Sequence, residues 1–276
     1  MTLINSNKQI IKFTCAAEDD GVLLVDTVAK NSSLSKSLIK KLMVNGSVFQ
    51  CFKGRKRKNA RKAKNTVKSG DMIECYYDPS IDLDQEFQFN VIYENQNYGI
   101  YHKPSGAMTE GTNFGDKTSL FRHVEKRKRY AYLVNRLDRE TEGLVVVAYN
   151  SKTQNLLQQM WRDGVVKKYQ GIVLGKISGS GVLDKMINNK VSKTTYTCTE
   201  TVNNHTHVEI ELATERKNQI RIHFADMGNP IIGDPIYGEH NKNRKGLQLI
   251  SYSLEFTDPQ SSKEIKAVLP KERLLF

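Results

Sequence analysis

One stretch near the middle of the chain constrains the fold most: a charge-dense segment that runs directly into a short, strongly apolar one. Residues 135–142 are mostly polar or charged, while residues 144–148 read Leu, Val, Val, Val and Ala. The apolar run is too short to cross a bilayer and is rich in β-branched residues, so it predicts a buried β-strand. The charged residues then form a loop at the mouth of that strand, and Gly143 eases the turn.

Within this loop a carboxylate, Asp138, lies between two arginines, Arg136 and Arg139. Neighbouring cations favour the charged form of a carboxylate, and an ionised carboxylate can act as a nucleophile. The loop therefore predicts a catalytic aspartate. A capped turn that only feeds a core strand is the alternative interpretation, because short motifs of this kind also occur by chance.

The stretch resembles the catalytic motif of the RluA family of RNA pseudouridine synthases, His-Arg-Leu-Asp-x-x-Thr-Ser-Gly-Leu followed by an apolar strand. Asn135 stands where the family has His, and Glu142 stands where it has Ser. The residues that match are Arg136, Leu137, Asp138, Thr141, Gly143 and Leu144.

Two further blocks follow in the order of that family. Residues 165–175 read as a strand and resemble its Lys-x-Tyr motif, with Tyr169 as the tyrosine. Residues 214–238 resemble Gln-Ile-Arg-x-His followed by Gly-x-Pro-Ile-x-Gly-Asp-x-x-Tyr-Gly, although Asn218 replaces a usual His. The matching residues of this block are Gln219, Ile220, Arg221, His223, Gly228, Pro230, Ile231, Gly233, Asp234, Tyr237 and Gly238.

The resemblance implies an α+β fold: a catalytic domain with a mixed, mainly antiparallel central sheet flanked by helices and loops. It implies isomerisation of uridine in structured RNA on a base that is flipped out of its stack. Asp138 would be the catalytic aspartate, Arg221 its ion-pair partner, and Tyr169 the group that stacks on uracil and acts as a general base at C5. Further substrate contacts are expected from Lys103 in a Lys-Pro-x-Gly loop and from Asn135, Arg136, Gln219 and Ile220.

Residues 1–78 are expected to form a separate small domain. Helical spacing of apolar residues, an Asn45-Gly46 turn and two strand patterns resemble the S4 RNA-binding domain, an α/β module. Residues 79–90 turn acidic and suit a linker. The catalytic domain is then expected to cover residues 91–276.

Positive charge is concentrated in this first domain. The chain carries a net charge of +12, but residues 53–68 hold nine basic residues and no acidic one. Concentrated positive charge attracts phosphate backbones through counterion release, so this basic loop is expected to bind RNA unless it is a solvated loop of no consequence. Its basic residues are Lys53, Arg55, Lys56, Arg57, Lys58, Arg61, Lys62, Lys64 and Lys68.

Composition excludes several other classes of protein. Four scattered cysteines without a CxxC pair argue against structural zinc and fit reduced thiols, and His205 and His207 have no third metal ligand nearby. No signal-peptide core and no membrane-length apolar run is present, so a cytoplasmic protein is expected. The implied isomerisation needs no metal or cofactor, so none is expected, and a monomer is the default for the oligomeric state.

Three alternatives to a ribosomal RNA enzyme stay open at this stage. The chain can be a pseudouridine synthase for transfer RNA, since ribosomal RNA is favoured only by the S4-like module. It can be a non-catalytic RNA-binding or ribosome-assembly factor on the same scaffold. A DNA-binding regulator ranks below both, because no helix-turn-helix pattern is present.

Overall fold

The computed structural model describes residues 10–18, 20–52, 55–162, 164–238, 243 and 245–276. Internal contacts divide the chain into two compact units. The first contains residues 10–87 together with Glu110–His123, and the second contains Gln88–Thr109 with Val124–Phe276. The boundary expected at residue 78, with a linker over 79–90, thus differs from the observed one, and residues 110–123 join the first unit instead of the expected catalytic domain.

The segment Glu110–His123 joins the first unit because it satisfies buried polar groups there. The carbonyl oxygen of Phe114 accepts hydrogen bonds from Asn45 Nδ2 at 2.8 Å and from Ser47 Oγ at 2.7 Å. Asp116 forms an ion pair with Arg61. These partners lie tens of residues apart in sequence, so local periodicity could not have revealed them.

The first unit combines a four-stranded antiparallel sheet, in the order β1-β4-β2-β3, with two helices. The structure confirms both predicted helices, the strand β2 after the Asn-Gly turn and the strand β4 after the basic loop. The sequence did not predict β1 and β3. The bounds are β1 Ile11–Ala16, α1 Leu24–Lys30, α2 Lys36–Asn45, β2 Val48–Cys51, β3 Lys58–Asn59 and β4 Met72–Tyr77.

Local chemistry fixes both ends of α2. The side chain of Ser35 accepts a hydrogen bond from the Leu38 amide and caps the first turn. Gly46 ends the helix in the left-handed conformation, with φ of 86°, which a residue without Cβ adopts at little cost. The buried face of the helix, Ile39, Leu42 and Met43, packs into the core of the unit.

The second unit is built on a ten-stranded sheet whose main path runs β10-β11-β12-β9-β13-β8-β6-β5, with β14 paired to β13 and β7 to β8. Every pairing is antiparallel except that of β13 with β8. This mixed, mainly antiparallel sheet with flanking helices confirms the predicted α+β class. The strands are β5 Asn90–Glu94, β6 Tyr98–Lys103, β7 Tyr132–Leu133, β8 Glu142–Ala148, β9 Val165–Leu174, β10 Ser180–Leu183, β11 Thr194–Val202, β12 His205–Leu212, β13 Leu249–Thr257 and β14 Glu264–Val268.

Three further helices follow. They are α3 Leu120–Arg127, α4 Ser151–Met160 and α5 Gln219–Asp226, and a 3-10 turn covers Lys271–Arg273. Helix α4 is capped by Asn150, whose side chain accepts from the Thr153 amide at 2.8 Å. Among the described residues, no helix is long and apolar enough to cross a membrane.

Strand β8 is the predicted apolar run, and it is buried along Gly143–Ala148. It lies between β6 and β13, so the loop before it opens beside two other strand ends. Gly143 has φ of 137°, and a Cβ there would meet the backbone oxygen of Ser251. A residue with a side chain does not fit this close approach of β8 to β13.

Candidate active site

The loop that carries Asp138 is fixed through the backbone of Leu137. Thr109 Oγ1 donates to the Leu137 carbonyl at 2.8 Å and accepts from the Leu137 amide at 3.1 Å. Asn135, expected to contact substrate, instead pairs with β8: its Oδ1 accepts from the Val146 amide at 2.8 Å, and its Nδ2 donates to the Leu144 carbonyl at 3.4 Å. The side chain of Asn135 is thus used to shape the loop.

Lys103 joins this loop to the neighbouring Lys-Pro-x-Gly turn. Its fully buried Nζ donates to the carbonyl oxygens of Pro104 at 3.1 Å, Ala107 at 2.7 Å and Arg139 at 3.1 Å. Burial lowers the pKa of Lys103 to about 7, against the opposing effect of nearby carboxylates, of which Glu140 has the largest. The expected substrate contact therefore has all its donors engaged within the protein.

Arg221 is the residue on which the site converges. It lies in the first turn of α5 and is almost completely buried. Its Nε and Nη2 form a bidentate pair with Asp234 at 2.7 and 2.8 Å. Its Nη1 donates to Asp138 Oδ2 at 3.2 Å, which confirms the predicted pairing, and lies 3.9 Å from Glu140.

The ion pairs outweigh the cost of burying this guanidinium. Burial alone lowers the pKa of Arg221, but Asp234 and Asp138 together raise it above its ordinary value. Burial likewise raises the pKa of Asp234, while Arg221 and the amides of Ile236 and Tyr237 lower it by more, so that the net shift is downward. Sequence reasoning assigned no role to Asp234, although the Gly-Asp pair within a matched motif was the signal that marked it.

Asn218, directly before α5, provides the second contact to Asp138. It has the left-handed φ of 58°. Because a carboxylate can only accept hydrogen bonds, the amide nitrogen of Asn218 faces Asp138 and donates to Oδ1 at 2.9 Å and Oδ2 at 2.6 Å. The amide oxygen accepts from the Tyr237 hydroxyl at 2.9 Å. Asn218, which replaces the histidine of the resemblance, thus still contacts Asp138.

Tyr169 lies on β9 and is buried in a hydrophobic cluster that also contains Leu137 and Ile220, the residues before Asp138 and Arg221. Burial raises the pKa of Tyr169 well above its ordinary range, and the charge of Glu215 raises it further. At neutral pH the phenol therefore keeps its proton. This environment does not favour an ionised tyrosine, so the expected general-base role needs help from a neighbouring group.

Three other predicted residues are distributed around this centre. Arg136 is exposed. Gln219 is buried and donates to the Lys193 carbonyl at 3.1 Å and to Thr194 Oγ1 at 3.0 Å, which ties α5 to β11. Ile220 is buried beside Tyr169. Arg136 is therefore exposed to solvent, whereas Gln219 and Ile220 support α5 from within.

The basic loop of the first unit is partly ordered by its own contacts. Strand β3 lies inside it and pairs with β2. Arg57 forms an ion pair with Glu74 and donates to Asn113 Oδ1 at 2.6 Å, and Arg61 pairs with Asp116. Lys53 lies outside the described residues. The described basic residues with exposed side chains are Arg55, Lys56, Arg57, Lys58, Lys62, Lys64 and Lys68.

Together, the second unit presents a partly exposed carboxylate oriented by one buried cation and one amide, beside a deeply buried phenol. The side chain of Asp138 is 25% exposed, while that of Arg221 is 2% exposed. A fixed guanidinium stabilises negative charge on the carboxylate and keeps its direction constant without reorganisation during a reaction. The arrangement suits nucleophilic attack or proton removal by Asp138.

Comparison with known proteins gives a consistent result. A family model described as RNA pseudouridylate synthase matches residues 97–226, a range that contains Asp138, Tyr169 and Arg221. Ribosomal large subunit pseudouridine synthase D of Xanthomonas campestris pv. campestris is 30% identical over 221 residues, which are 67% of this chain and 67% of that protein. The protein of the same name from Buchnera aphidicola subsp. Schizaphis graminum is 29% identical over 229 residues, 74% of this chain and 71% of its own length.

Among solved structures, human RNA pseudouridylate synthase domain containing 1 has a similar fold. It superposes with a TM-score of 0.58 at 18% sequence identity and covers 68% of this chain and 85% of its own. At this identity the likeness concerns the fold alone.

Proposed function

The chain belongs to the RluA family of RNA pseudouridine synthases, and we propose that it converts specific uridines of ribosomal RNA to pseudouridine. The observation that carries the proposal is the carboxylate of Asp138, partly exposed, with Arg221 and Asn218 both donating to it. A surface loop that only caps a strand has no need of a buried arginine aimed at its aspartate.

The reaction breaks the C1′–N1 glycosidic bond, turns the uracil and rejoins it through C5. A base stacked in RNA is out of reach, so it is flipped into the site at a cost of roughly a few kcal/mol. Asp138 either attacks C1′ or removes a proton from the sugar, and both steps use the same oriented carboxylate. The guanidinium of Arg221 stabilises the negative charge of that carboxylate before the reaction.

Tyr169 and Arg136 complete the proposed site. The ring of Tyr169 stacks on uracil. Its hydroxyl takes the proton that leaves C5 while it passes its own proton to a base such as the neighbouring carboxylate of Asp138. The exposed Arg136 contacts the RNA backbone or fills the space that the flipped base leaves. The other residues expected to contact substrate, Lys103, Asn135, Gln219 and Ile220, act by fixing the loop of Asp138 and helix α5.

The first unit is proposed to bind the RNA as an S4-like domain. Its exposed lysines in the basic loop, Lys56, Lys58, Lys62 and Lys64, provide charge that contacts phosphates without reading bases. Arg57 and Arg61 contribute less, because both are paired within the unit. The proposed domains are this unit and a catalytic domain that carries the ten-stranded sheet.

Ribosomal RNA is favoured over transfer RNA as the substrate class. Both curated relatives compared above are named for the large ribosomal subunit. The proposal includes action as a monomer in the cytoplasm, where ribosomal RNA of a bacterial cell is made. A non-catalytic assembly factor is the second candidate, and the contacts of Arg221 and Asn218 with Asp138 favour the enzyme over it.

The proposal is tested by mapping pseudouridines in total RNA from cells that lack the protein. We expect the loss of one or a few pseudouridines in large-subunit ribosomal RNA, restored by the wild-type gene and not by Asp138→Asn. Lost sites in transfer RNA would change the substrate class. Unaltered pseudouridine sites, or restoration by Asp138→Asn, would favour the assembly factor.

A further inference from the structure

Ser251 is a buried hydroxyl in the second unit to which the proposed chemistry assigns no role. It lies on β13 and is completely buried, and its Oγ makes no hydrogen bond to any residue in the described ranges. Buried polar groups in native proteins are nearly always hydrogen-bonded, so each exception requires an explanation in structure or function.

The strand register places Ser251 between two parts of the active site. It lies opposite Tyr169 in the antiparallel pairing of β13 with β9 and opposite Gly143 in the parallel pairing with β8. Residues directly opposite each other in an antiparallel pair project their side chains from the same face, with Cβ atoms about 5 Å apart. Ser251 thus shares its face with Tyr169.

Gly143 keeps this face open at the start of β8. A Cβ at Gly143 would lie 2.6 Å from the Cβ of Ser251, so a side chain there would displace the serine. The side chain of Ser251 occupies the space that Gly143 leaves. Ser251 is therefore held by packing against β8 on one side and faces the phenol of Tyr169 on the other.

The electrostatics of Tyr169 indicate what the serine does. Burial and the charge of Glu215 both raise the pKa of Tyr169, and Asp138 adds to the effect. The Ser251 hydroxyl acts in the opposite direction: as a hydrogen-bonding neighbour of the phenol it lowers the pKa, although the two hydroxyls do not reach the full geometry of a hydrogen bond in this structure. Among these neighbours, Ser251 is the one that stabilises negative charge on the phenol oxygen.

We propose that Ser251 is a positioning residue for Tyr169: its hydroxyl donates a hydrogen bond to the phenol oxygen when uridine occupies the site, and so directs the phenol at C5. The inference rests on the proposed function. Donation by Ser251 occupies one lone pair of the phenol oxygen and leaves the other directed at C5, so the phenol can take the C5 proton while it passes its own proton to a base such as Asp138. Ser251 itself does not touch the substrate.

The test compares Ser251→Ala with Ser253→Ala, a matched control two residues further along the same strand, which is also buried and whose hydroxyl lies 3.4 Å from Glu255. We expect Ser251→Ala to lower kcat about tenfold with KM for the RNA unchanged, as for the loss of one hydrogen bond of the reacting state. Ser253→Ala should retain wild-type kcat. A kcat for Ser251→Ala within twofold of wild type would overturn the proposal.

Coupling to Tyr169 separates positioning from packing. Combined with Tyr169→Phe, Ser251→Ala should cause no further loss, because a residue that acts through the phenol has no effect once the phenol is gone. Equal losses in both backgrounds would show that the serine acts independently of the tyrosine and would also overturn the proposal.

A second readout does not depend on turnover, so it distinguishes failure of this inference from failure of the proposed function. In protein labelled with ¹³C at tyrosine Cζ, the Tyr169 resonance is identified by its absence in Tyr169→Phe. With a uridine-containing RNA bound, we expect this resonance to shift in Ser251→Ala and to stay in place in Ser253→Ala. An unmoved resonance in Ser251→Ala would contradict the hydrogen bond even if every variant lacks activity.

Discussion

At the scale of single residues, Arg221 forms ion pairs with two carboxylates that have different tasks. Asp234 is completely buried and accepts hydrogen bonds from Nε and Nη2 of Arg221. These bonds replace those that the guanidinium would make to water. Asp138 is partly exposed and receives only Nη1 of the arginine, which leaves part of the carboxylate accessible to substrate. Asp234 thus anchors Arg221, whereas Asp138 is the carboxylate proposed to react.

Arg221→Met is predicted to remove both activity and stability. The buried Asp234 would lose its counter-charge, which typically costs about 3–5 kcal/mol of unfolding free energy, and the carboxylate of Asp138 would lose its orientation. Turnover should fall at least about a hundredfold. Urea unfolding and the rate of pseudouridine formation measure the two effects.

Arg221→Lys is the matched control for this prediction. It keeps the charge but cannot form the bidentate fork, so it should recover much of the stability and little of the turnover. If Arg221→Met kept wild-type turnover, the pairing with Asp138 would have no catalytic role.

Asn218→Ala is predicted to lower kcat about tenfold, because Asp138 loses an amide that donates to both of its oxygens. The left-handed φ of position 218 makes alanine costly there for a second reason, which a control must separate. Asn204→Ala provides it: that residue has φ of 63° in the turn between β11 and β12. Equal kcat losses in the two variants would mean that strain, and not the contact with Asp138, explains the effect.

At the scale of elements, the site depends on the loops that follow β6 and precede β8. The turn after β6 is tied to the catalytic loop by hydrogen bonds that include Gly106 N to Arg139 O at 2.8 Å and Ser105 Oγ to Glu140 O at 2.7 Å. Lys103 Nζ donates three further hydrogen bonds, to the carbonyl oxygens of Pro104, Ala107 and Arg139. Both loops accept hydrogen bonds from the buried ammonium of Lys103. The protonation of Lys103 is therefore linked to the stability of the fold.

Lys103 predicts a measurable dependence of stability on pH. Its pKa is about 7 in the folded protein and about 10.4 in an unfolded chain, so between these values the unfolded state binds the additional proton. Stability from this group therefore rises with pH over that range, by up to ~1.4 kcal/mol per unit, and the penalty of the buried ammonium is fully present below pH 7. Urea unfolding at pH 7, 8 and 9 should show this rise in the wild type.

Lys103→Met removes the titrating group and is the comparison for that experiment. The unfolding free energy of the wild type minus that of Lys103→Met should increase as the pH rises from 7 to 9. Parallel pH dependences of the two proteins would contradict the linkage.

The elements that sequence predicted best are those whose pattern is local. The β-branched run of β8 and the helical spacing of α2, which ends at the Asn45-Gly46 turn, follow from period and turn residues alone. Strands β1 and β3 were missed because pairing with β4 and β2, and not their own pattern, makes them strands. The pairing of Asp138 with Arg221 was predicted from the family resemblance, whereas the uses of Lys103 and Asp234 depend on neighbours that only tertiary structure brings close.

At the scale of the whole molecule, the charge is divided between the units. The densest run of positive charge, residues 53–68 with nine basic residues and no acidic one, lies in the first unit, while the second holds the carboxylates of the site. Affinity that rests on phosphate contacts falls with salt in proportion to the number of counterions released. Binding and chemistry should therefore respond to different sets of substitutions.

Replacing Lys56, Lys58, Lys62 and Lys64 by Gln should weaken RNA binding and flatten its salt dependence. If all four contact phosphates, the slope of log K against log salt should fall by roughly 3 to 4. Turnover at saturating RNA should barely change, because these residues belong to the unit without Asp138. An equal change of charge at Lys152, Lys190, Lys263 and Lys271, exposed on the second unit, is the control. An unaltered slope in the first variant would show that the basic loop is only solvated.

The central claim, that Asp138 is the catalytic group of a pseudouridine synthase, is tested most directly by one comparison on ribosomal RNA. Wild type and Asp138→Asn are incubated with unmodified large-subunit RNA, and pseudouridine formation and RNA affinity are measured together. We predict that Asp138→Asn forms no pseudouridine while its affinity stays within about threefold of wild type, because affinity is mostly electrostatic. Substantial turnover by Asp138→Asn would contradict the account.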